Sequence, residues 1–388
     1  MNTEQLTKIR RMENMPEGGV NSVEGLLMLA EQFLEPHFKM AEVGSFEGIS
    51  TILFSKFVET IYSIDHYDYK VPETGRIPEH DLSFQIAERM FFERTKDIKN
   101  IVKIRKKSME AVRDFQDRSL DAVYIDGEHD EESVREDIRE WRKKIKFGGY
   151  LMGHDYYLPY IKETLKEQNL YYQTVAPDSS WIAKIPTVTL ASVACTKVSE
   201  TIEAMKKCQE QMGFNRSVLF THEDITAEGI EVVKIDKLDY KGYNEFVAMK
   251  MWQWIGTDFV LLVQNDGLIT DVSKWDDRFM NYDYIGSPWP IPNDETTYRT
   301  PSSRLVRVGN GGFSFRSRRL LRAPTILGLE FTDRGTGYWH EDGAICVHWG
   351  DILQDAGINF APIELAAKFG TELVVPETVE SFGKHKYL

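Results

Sequence analysis

Two runs of apolar residues in this chain lead into an aspartate that is followed by a glycine. Residues 122–125 end at Asp126, and residues 259–263 end shortly before Asp266. A continuous apolar run is typical of a strand that is buried on both faces of an α/β sheet. Open α/β sheets bind their ligands just beyond the carboxyl ends of such strands. Because one of these acids lies in each half of the chain, the sequence predicts two ligand sites.

The length of the chain predicts two domains. Its 388 residues exceed the size at which a single hydrophobic core usually stops growing. Ile185-Pro186 marks the predicted boundary, because proline biases the preceding residue toward extended backbone and the strand and helix patterns restart after it. We therefore expect one domain in residues 1–185 and a second in residues 186–388.

Composition narrows the class of partners. The net charge of −14 argues against nucleic acid, since a general nucleic-acid binder needs a basic surface. Three cysteines without metal-type spacing fit a reducing compartment. Residues 1–19 lack an apolar core of signal-peptide length, and no stretch reaches the ~18 apolar residues of a membrane span. We expect a cytoplasmic protein without an integral membrane segment, and the oligomeric state stays open.

Both halves alternate strand-like and helical patterns, which predicts an α/β fold in each. In the first half the alternation predicts a parallel sheet with helices on both faces, closed by an antiparallel hairpin around the turn at residues 177–180. In the second half, residues 290–307 are rich in Pro, Asn, Thr, Ser and Arg and predict a long loop. The predicted strands are residues 38–44, 60–65, 100–108, 120–126, 148–155, 188–195, 216–223, 231–236 and 258–266.

The first predicted strand exits into a glycine turn that suits a nucleotide-like cofactor. Gly44 would allow the backbone to approach a ligand closely, and Asp65, at the end of the next strand, suits hydrogen bonds to ribose hydroxyls. The turn contains Gly44 and Gly48 but not the third glycine of the dinucleotide-binding fingerprint. An NAD-dependent oxidoreductase is therefore a minor alternative.

Residues 120–157 carry two motifs, Ile-Asp-Gly-x-His and Gly-Gly-x-x-x-x-His-Asp, each at the end of a predicted strand. With these motifs, residues 20–185 resemble the small-molecule branch of class I S-adenosylmethionine-dependent methyltransferases. The resemblance implies a Rossmann-like sheet with the terminal hairpin. It also implies cofactor-binding residues: Glu42, Gly44 and Ser45 around the methionine part, Gly48 in the same turn, Asp65 at the ribose, and Ser108 and Met109 near the adenine.

The same resemblance places Asp126, His129, His154 and Asp155 around the transferred methyl group. O-methylation needs a deprotonated hydroxyl, produced by a general base or by a bound divalent cation. Related metal-dependent enzymes have a second acid or an amide where this chain has Tyr156. A histidine base and a metal site therefore both stay open, and His129 alternatively is an exposed residue at a helix start.

The second half resembles an uncharacterised family whose members look like GT-A glycosyltransferases. The resemblance covers residues 188–388. It rests on a series of segments that follow one another in this order, including WDDRFMNYDYIGSPWP, VGNGGFSF, YWHEDGAICVHWGDIL and SFGKH. Such enzymes use carboxylates, usually Asp-x-Asp, to hold a cation against the diphosphate leaving group. This chain has Gln264-Asn265-Asp266, with a single carboxylate, which weakens the prediction of a metal site.

This second resemblance implies several roles. Asp266 and His385 would hold a divalent cation, Mn²⁺ or Mg²⁺, and Glu341 and Asp342 would contact hydroxyls, one of them as a base if the enzyme inverts. Two of these residues have a non-functional alternative: Trp289 could be a core aromatic, and His385 could be an exposed residue of the C-terminal tail. The predicted substrate contacts are Trp289 stacked on a sugar, Gly311 and Gly312 (with Gly309) close to the sugar, and Arg307 (with Arg299 and Arg304) at phosphate.

Together the two halves predict a bifunctional transferase. It would methylate a sugar or glycan hydroxyl from S-adenosylmethionine and transfer a glycosyl group from a nucleotide-sugar donor to a glycan acceptor, as in surface glycan biosynthesis. The alternative is a methyltransferase whose second domain is a non-catalytic module that binds carbohydrate or nucleotide.

Overall fold

The computed structural model describes residues 23–67, 79–175, 179–333, 339–372 and 380–386. The chain divides into two compact units, Met1–Ile185 and Pro186–Leu388. Residues 1–19, for which the sequence predicts no signal peptide, lie outside the described residues. Residues 177 and 178 of the predicted turn do so as well.

The first unit contains a seven-stranded sheet in the order β3-β2-β1-β4-β5-β7-β6. Strands β1 to β5 are parallel, whereas β7 runs antiparallel to β5 and β6 antiparallel to β7. The predicted Rossmann-like sheet with its terminal hairpin is therefore confirmed. The strands are β1 Lys39–Val43, β2 Thr60–Ile64, β3 Ile101–Ile104, β4 Leu120–Ile125, β5 Ile145–Gly153, β6 Tyr172–Val175 and β7 Ser180–Lys184.

Helices flank this sheet and seal its core. All six residues of β4 are buried, and Tyr124 packs against Phe54 with the ring centroids 5.1 Å apart. This packing fixes the carboxyl ends of β1, β4 and β5 at one edge of the sheet. The helices are α1 Glu24–Phe33, α2 Ile49–Phe54, α3 Glu79–Thr95, α4 Ser108–Ala111, α5 Glu131–Lys144 and α6 Pro159–Glu167.

Helix α5 shows how local chemistry sets a helix in place. Its apolar residues Val134, Ile138 and Trp141 share one face and are buried. The Asp130 side chain caps the first turn by accepting a hydrogen bond from the backbone N–H of Ser133 at 3.0 Å. Acidic residues in the first turn and basic residues in the last turn complement the helix dipole.

The second unit has its own six-stranded sheet in the order β10-β9-β8-β11-β14-β13. The first four strands in this order are parallel, and β14 and β13 continue the sheet antiparallel. The prediction of a second α/β unit is confirmed. These strands are β8 Val188–Val193, β9 Arg216–Thr221, β10 Glu231–Lys234, β11 Phe259–Val263, β13 Tyr284–Gly286 and β14 Phe313–Ser317.

A separate three-stranded sheet connects the chain after β11 with the C-terminal segment. Its order is β12-β16-β15, with β12 at Leu268–Ile269, β15 at Gly370–Thr371 and β16 at Gly383–Lys384. The sequence patterns did not predict these two-residue strands. The helices of the second unit are α7 Val198–Gln211, α8 Tyr240–Glu245, α9 Arg318–Ile326, α10 Glu341–Gly343, α11 Gly350–Asp355 and α12 Ile363–Phe369.

The predicted loop at residues 290–307 is irregular apart from an isolated bridge between Arg299 and Leu305. Within the described ranges, no helix is both long enough and apolar enough to cross a lipid bilayer.

Candidate active sites of the two units

The turn after β1 lies directly against the end of β4. Gly44 has a φ of +87°, and a Cβ at this position would lie 2.0 Å from the carbonyl oxygen of Asp126. No other residue fits here, because the backbone itself would have to shift. The close approach joins the predicted cofactor turn to the predicted methyl-transfer residues.

Asp65 fixes the shape of the same turn. Its carboxylate accepts the backbone N–H of Phe46 at 2.9 Å and that of Tyr67 at 3.0 Å. The Tyr67 hydroxyl donates to the carbonyl of Phe46 at 2.7 Å. Each carboxylate oxygen has a second lone pair, so Asp65 can accept ribose hydroxyls while it keeps these bonds.

The other predicted cofactor residues of this turn lie beside it. Glu42 is fully buried on β1 and accepts a hydrogen bond from the Thr51 hydroxyl. Ser45 is buried, with its hydroxyl 3.3 Å from that of Tyr67. Gly48, at a φ of +79°, starts helix α2. These hydrogen bonds fix the turn at the mouth of the sheet, and its contact with the methionine part of a cofactor stays a prediction.

Ser108 is held by neighbours within its own unit. Its hydroxyl donates to the Asp137 carboxylate and accepts the indole N–H of Trp141 at 2.8 Å. Burial raises the pKa of Asp137 to about 7. These bonds use the Ser108 side chain for packing α4 against α5, and Met109 beside it is half-buried. A contact with adenine stays a prediction for both residues.

The four predicted methyl-transfer residues converge at the ends of β4 and β5. His154 Nδ1 lies 2.8 Å from Asp155 Oδ1 and 3.6 Å from Asp126 Oδ1. His129 Nδ1 lies 2.6 Å from the other oxygen of Asp155. The His129 side chain is itself largely exposed, and its catalytic role stays a prediction.

Asp155 is the centre of this cluster. It is buried and has a φ of +58°, in the left-handed region. Burial opposes its charge, but hydrogen bonds from His129 and His154 outweigh burial and hold the pKa of Asp155 well below its ordinary value. The carboxylate is therefore ionised at neutral pH and can orient two imidazole rings.

The same cluster has the geometry of a cation site. One ligand atom each from Asp126, His154 and Asp155 lie within 4.8 Å of one another. Two carboxylates and an imidazole suit a divalent transition metal better than Mg²⁺, which prefers oxygen ligands alone.

The second unit brings Asp266 and His385 together from distant parts of the sequence. His385 Nε2 lies 3.3 Å from Asp266 Oδ1 and 3.2 Å from Gln264 Oε1. His385 is 7% exposed, so the alternative of an exposed tail histidine is wrong. Asp266 Oδ1 is buried and makes no hydrogen bond to any described residue. A carboxylate, an amide oxygen and an imidazole nitrogen form a donor set that fits a divalent cation.

Glu341 and Asp342 are adjacent but have different surroundings. The buried Glu341 carboxylate accepts a hydrogen bond from Arg316 Nη2 at 2.7 Å, and Arg316 is fully buried. Asp342 accepts the backbone N–H of Gly311 at 3.1 Å. Burial and the neighbouring Glu341 charge raise the pKa of Asp342 to about 7.

The Gly311-Gly312 turn lies between the acid pair and the predicted cation ligands. A Cβ at Gly311 would lie 1.7 Å from Glu341 Oε1, and a Cβ at Gly312 would lie 2.1 Å from His385 Nε2. Packing within the chain is therefore enough to require both glycines, and the predicted approach of a sugar to them stays a prediction. At Gly309 the same space is filled by the Trp289 ring.

Trp289 and the arginines of the long loop also have partners within the chain. Trp289 is buried and stacks on Tyr298 with the ring centroids 4.6 Å apart, which favours the core-aromatic alternative over sugar stacking. Arg307 Nε donates to the Trp289 carbonyl at 2.9 Å. Arg299 donates to the Ser303 carbonyl, and Arg304 lies 3.6 Å from Asp351. These contacts brace the loop, and phosphate binding by the arginines stays a prediction.

Two family models match parts of the chain. Residues 41–156 match a family described as a methyltransferase domain. This match lies within the first unit. Residues 230–386 match a family described as a protein of unknown function. No curated protein matches the chain.

Several solved structures are similar to less than half of this chain. An rRNA methylase from Streptococcus thermophilus shares 13% identity, with a TM-score of 0.30, over 44% of this chain and 97% of its own. Fibrillarin from Aeropyrum pernix, with S-adenosylmethionine bound, shares 15% identity, with a TM-score of 0.31, over 42% and 74%. An O-methyltransferase from Thermotoga maritima shares 10% identity, with a TM-score of 0.32, over 45% and 69%.

Two tyrosines of the first unit contact the candidate site residues and were not predicted as part of the site. Tyr67 ties the cofactor turn together through Phe46, and burial together with Asp65 raises its pKa. The Tyr160 hydroxyl donates to the carbonyl of His129. Their positions two and five residues after the site aspartates Asp65 and Asp155 are the available sequence signals, and such spacing alone does not set a tyrosine apart.

Proposed function

We propose that the chain is a bifunctional transferase. The methyltransferase domain methylates a hydroxyl of a sugar or glycan, and the second unit transfers a glycosyl group from a nucleotide-sugar donor in surface glycan biosynthesis. The second activity is supported mainly by one observation. Asp266, His385 and Asp342, from three separate segments, meet at the Gly311-Gly312 turn beyond β11.

In the methyltransferase domain, Glu42, Gly44 and Asp65 are proposed to hold the cofactor. When bound, S-adenosylmethionine supplies an electrophilic methyl group on a sulfonium centre. Gly44 lets the turn lie directly against the end of β4, and Asp65 accepts the ribose hydroxyls. The rigidity of the turn reduces the ordering cost of binding.

His154 is proposed as the base that takes the proton of the acceptor hydroxyl. Asp155 holds the ring through Nδ1, so Nε2 is available to accept a proton as the oxygen attacks the methyl carbon. Asp126 and His129 would complete the polar surround of the acceptor. This arrangement needs a neutral imidazole facing the hydroxyl.

A metal-assisted version of the same methyl transfer is the second candidate. It is favoured by the closeness of the ligand atoms of Asp126, His154 and Asp155. A divalent cation held there lowers the pKa of a coordinated hydroxyl. Exhaustive chelation distinguishes the two candidates: methyl transfer that survives chelation supports the histidine base, and transfer restored only by added metal supports the cation.

In the second unit, Asp342 is proposed as the base and Glu341 as its support. The Glu341 carboxylate is bound to Arg316, whereas Asp342 has a pKa near neutrality that suits proton transfer. Asp266 and His385 would hold a cation that neutralises the diphosphate of the leaving group.

A donor screen tests the proposal. The full-length protein is incubated with individual nucleotide sugars and Mn²⁺, and the released nucleoside diphosphate is measured for wild type and Asp266→Ala. Turnover that disappears in the variant supports a glycosyltransferase. Binding of a nucleotide or carbohydrate without turnover of any donor instead supports the non-catalytic module.

A further inference from the structure

The small sheet of the second unit places a third acid beside the proposed cation ligands. Strands β15 and β16 are parallel, so the residues that follow them, Glu372 and His385, emerge side by side. The backbone N–H of His385 donates to the Thr371 carbonyl at 3.0 Å. Strand β12 pairs antiparallel with β16, which brings the preceding Asp266 to the same edge.

The His385 imidazole is consequently enclosed by acceptor atoms on both sides. Glu372 Oε1 lies 3.2 Å from Nδ1, while Asp266 Oδ1 and Gln264 Oε1 lie 3.3 and 3.2 Å from Nε2. Among the described residues, Nε2 donates a hydrogen bond to Gln264 Oε1, whereas Nδ1 makes none. A cation bound at Nε2 requires the ring proton to move to Nδ1, and the Glu372 carboxylate beside Nδ1 favours that tautomer. In that tautomer three electron-pair donors, His385 Nε2, Asp266 Oδ1 and Gln264 Oε1, lie close together.

The amide of Gln264 is also oriented. Its Nε2 donates to the Tyr243 hydroxyl at 2.7 Å, which turns Oε1 toward His385. Gln264 therefore offers an oxygen atom at the position where the Asp-x-Asp motif of GT-A glycosyltransferases has its other carboxylate. The set of one carboxylate, one amide oxygen and one imidazole combines a nitrogen with oxygen ligands, which suits Mn²⁺.

We propose that Glu372 is a positioning residue that fixes His385 so that its Nε2, Asp266 and Gln264 together bind a divalent cation. The proposal rests on the cation site of the proposed function but not on sugar transfer. Nothing in the sequence patterns or the family matches assigns a role to Glu372. Glu372 also contacts Lys386, whose Nζ lies 2.5 Å from Oε1.

Binding of Mn²⁺ alone tests this assignment. Isothermal titration would use the full-length chain with Asp126→Asn as background, so that the cluster in the methyltransferase domain does not contribute. Glu372→Ala is expected to weaken Mn²⁺ binding about 10- to 100-fold, as loss of an outer partner of a ligating histidine does. Glu372→Gln, which keeps an acceptor for Nδ1–H, is expected to have an intermediate effect.

Two control variants separate positioning from general effects. Glu380→Gln removes the same charge from an exposed residue that pairs with Lys274, and it should bind Mn²⁺ like the background protein. Lys386→Met leaves Glu372 facing His385 and should also retain binding. Equal losses in Lys386→Met and Glu372→Ala would overturn the proposal, because Glu372 would then act through its contact with Lys386.

Pulsed electron paramagnetic resonance gives a readout that a purely structural effect would not produce. The ¹⁴N coupling of His385 to bound Mn²⁺ is expected in the background protein and in Glu380→Gln, and it should weaken in Glu372→Ala. Unchanged affinity and coupling in Glu372→Ala would refute the positioning role alone. The cation site itself would be refuted if the background protein bound no Mn²⁺, or if adding Asp266→Asn to it left Mn²⁺ binding unchanged.

Discussion

At the scale of single residues, Glu341 and Asp342 show how two adjacent acids acquire different tasks. The Glu341 carboxylate neutralises the fully buried Arg316, whereas Asp342 accepts hydrogen bonds from the backbone N–H groups of Gly311 and Gly343. A buried arginine without its partner is strongly destabilising. The pair therefore combines a structural charge with a titrating one.

This difference predicts opposite outcomes for two matched substitutions. Asp342→Asn should abolish sugar transfer while leaving the unfolding transition of the second unit nearly unchanged. Glu341→Gln should lower the stability of that unit by about 3–5 kcal/mol, because Arg316 loses its counter-charge. Urea unfolding and donor turnover measure the two effects, and a stable but inactive Glu341→Gln would reverse the assigned roles.

The glycines of the Gly311-Gly312 turn make a second prediction at this scale. Gly312→Ala places a Cβ against His385 Nε2, so the imidazole must move and Mn²⁺ binding should fall. Overpacking of this kind costs about 1–3 kcal/mol. Gly256→Ala is the matched control, because its Cβ would meet nothing within 4 Å. Unaltered Mn²⁺ affinity in Gly312→Ala would show that the histidine is not a ligand.

Sequence alone located some of these residues and missed others for a physical reason. Asp126 and Asp266 were predictable, because each follows an apolar strand whose carboxyl end forms a sheet edge. The sequence shows Gln264 only as a residue that stands where a second carboxylate is usual, and no sequence pattern singles out Glu372. The role of each is set by the position of His385, which depends on contacts between segments more than 100 residues apart in the case of Gln264.

At the scale of elements, long periodic segments were predictable and short paired ones were not. Helix α5 has an apolar face, an N-terminal cap and suitable charges, so its own sequence specifies it. The two-residue strands β12, β15 and β16 exist only through their pairing with one another. These strands bring the candidate site residues of the second unit together. The geometry of that site therefore could not be derived from local sequence patterns.

Helix α5 also carries a prediction about pH. The pKa of Asp137 is raised from 3.8 to about 7 by burial, so the folded state holds a proton that the unfolded state releases. Stability should therefore fall as the pH rises from about 4 to about 7, by on the order of 2–4 kcal/mol. Asp137→Asn should remove this loss and be more stable than wild type at pH 8.

Unfolding in urea at pH 5 and pH 8 measures this effect for the transition of the first unit. Glu136→Gln removes the neighbouring exposed charge and should retain the pH dependence of wild type. A wild type and an Asp137→Asn variant with parallel pH profiles would mean that Asp137 is ionised in the folded state throughout this range.

At the scale of the whole molecule, each unit has one large sheet in its described residues, and a cluster of candidate site residues follows a parallel strand of each of these sheets. In the first unit the cluster follows β4 and β5, and in the second it follows β11. The named residues of each cluster belong to its own unit, so we expect a substitution in one cluster to leave the side chains of the other unchanged.

Separate sites predict that each activity can be removed alone. Asp65→Ala should weaken S-adenosylmethionine binding about 10- to 100-fold, since it removes charge-assisted hydrogen bonds to the ribose and loosens the turn at Phe46. Donor turnover by the second unit should stay at the wild-type level. Asp266→Ala should have the reverse effect on the two activities, with cofactor affinity unchanged by titration calorimetry. Loss of both activities in either variant would contradict independent sites, and unchanged cofactor affinity in Asp65→Ala would refute the assignment of the ribose contact.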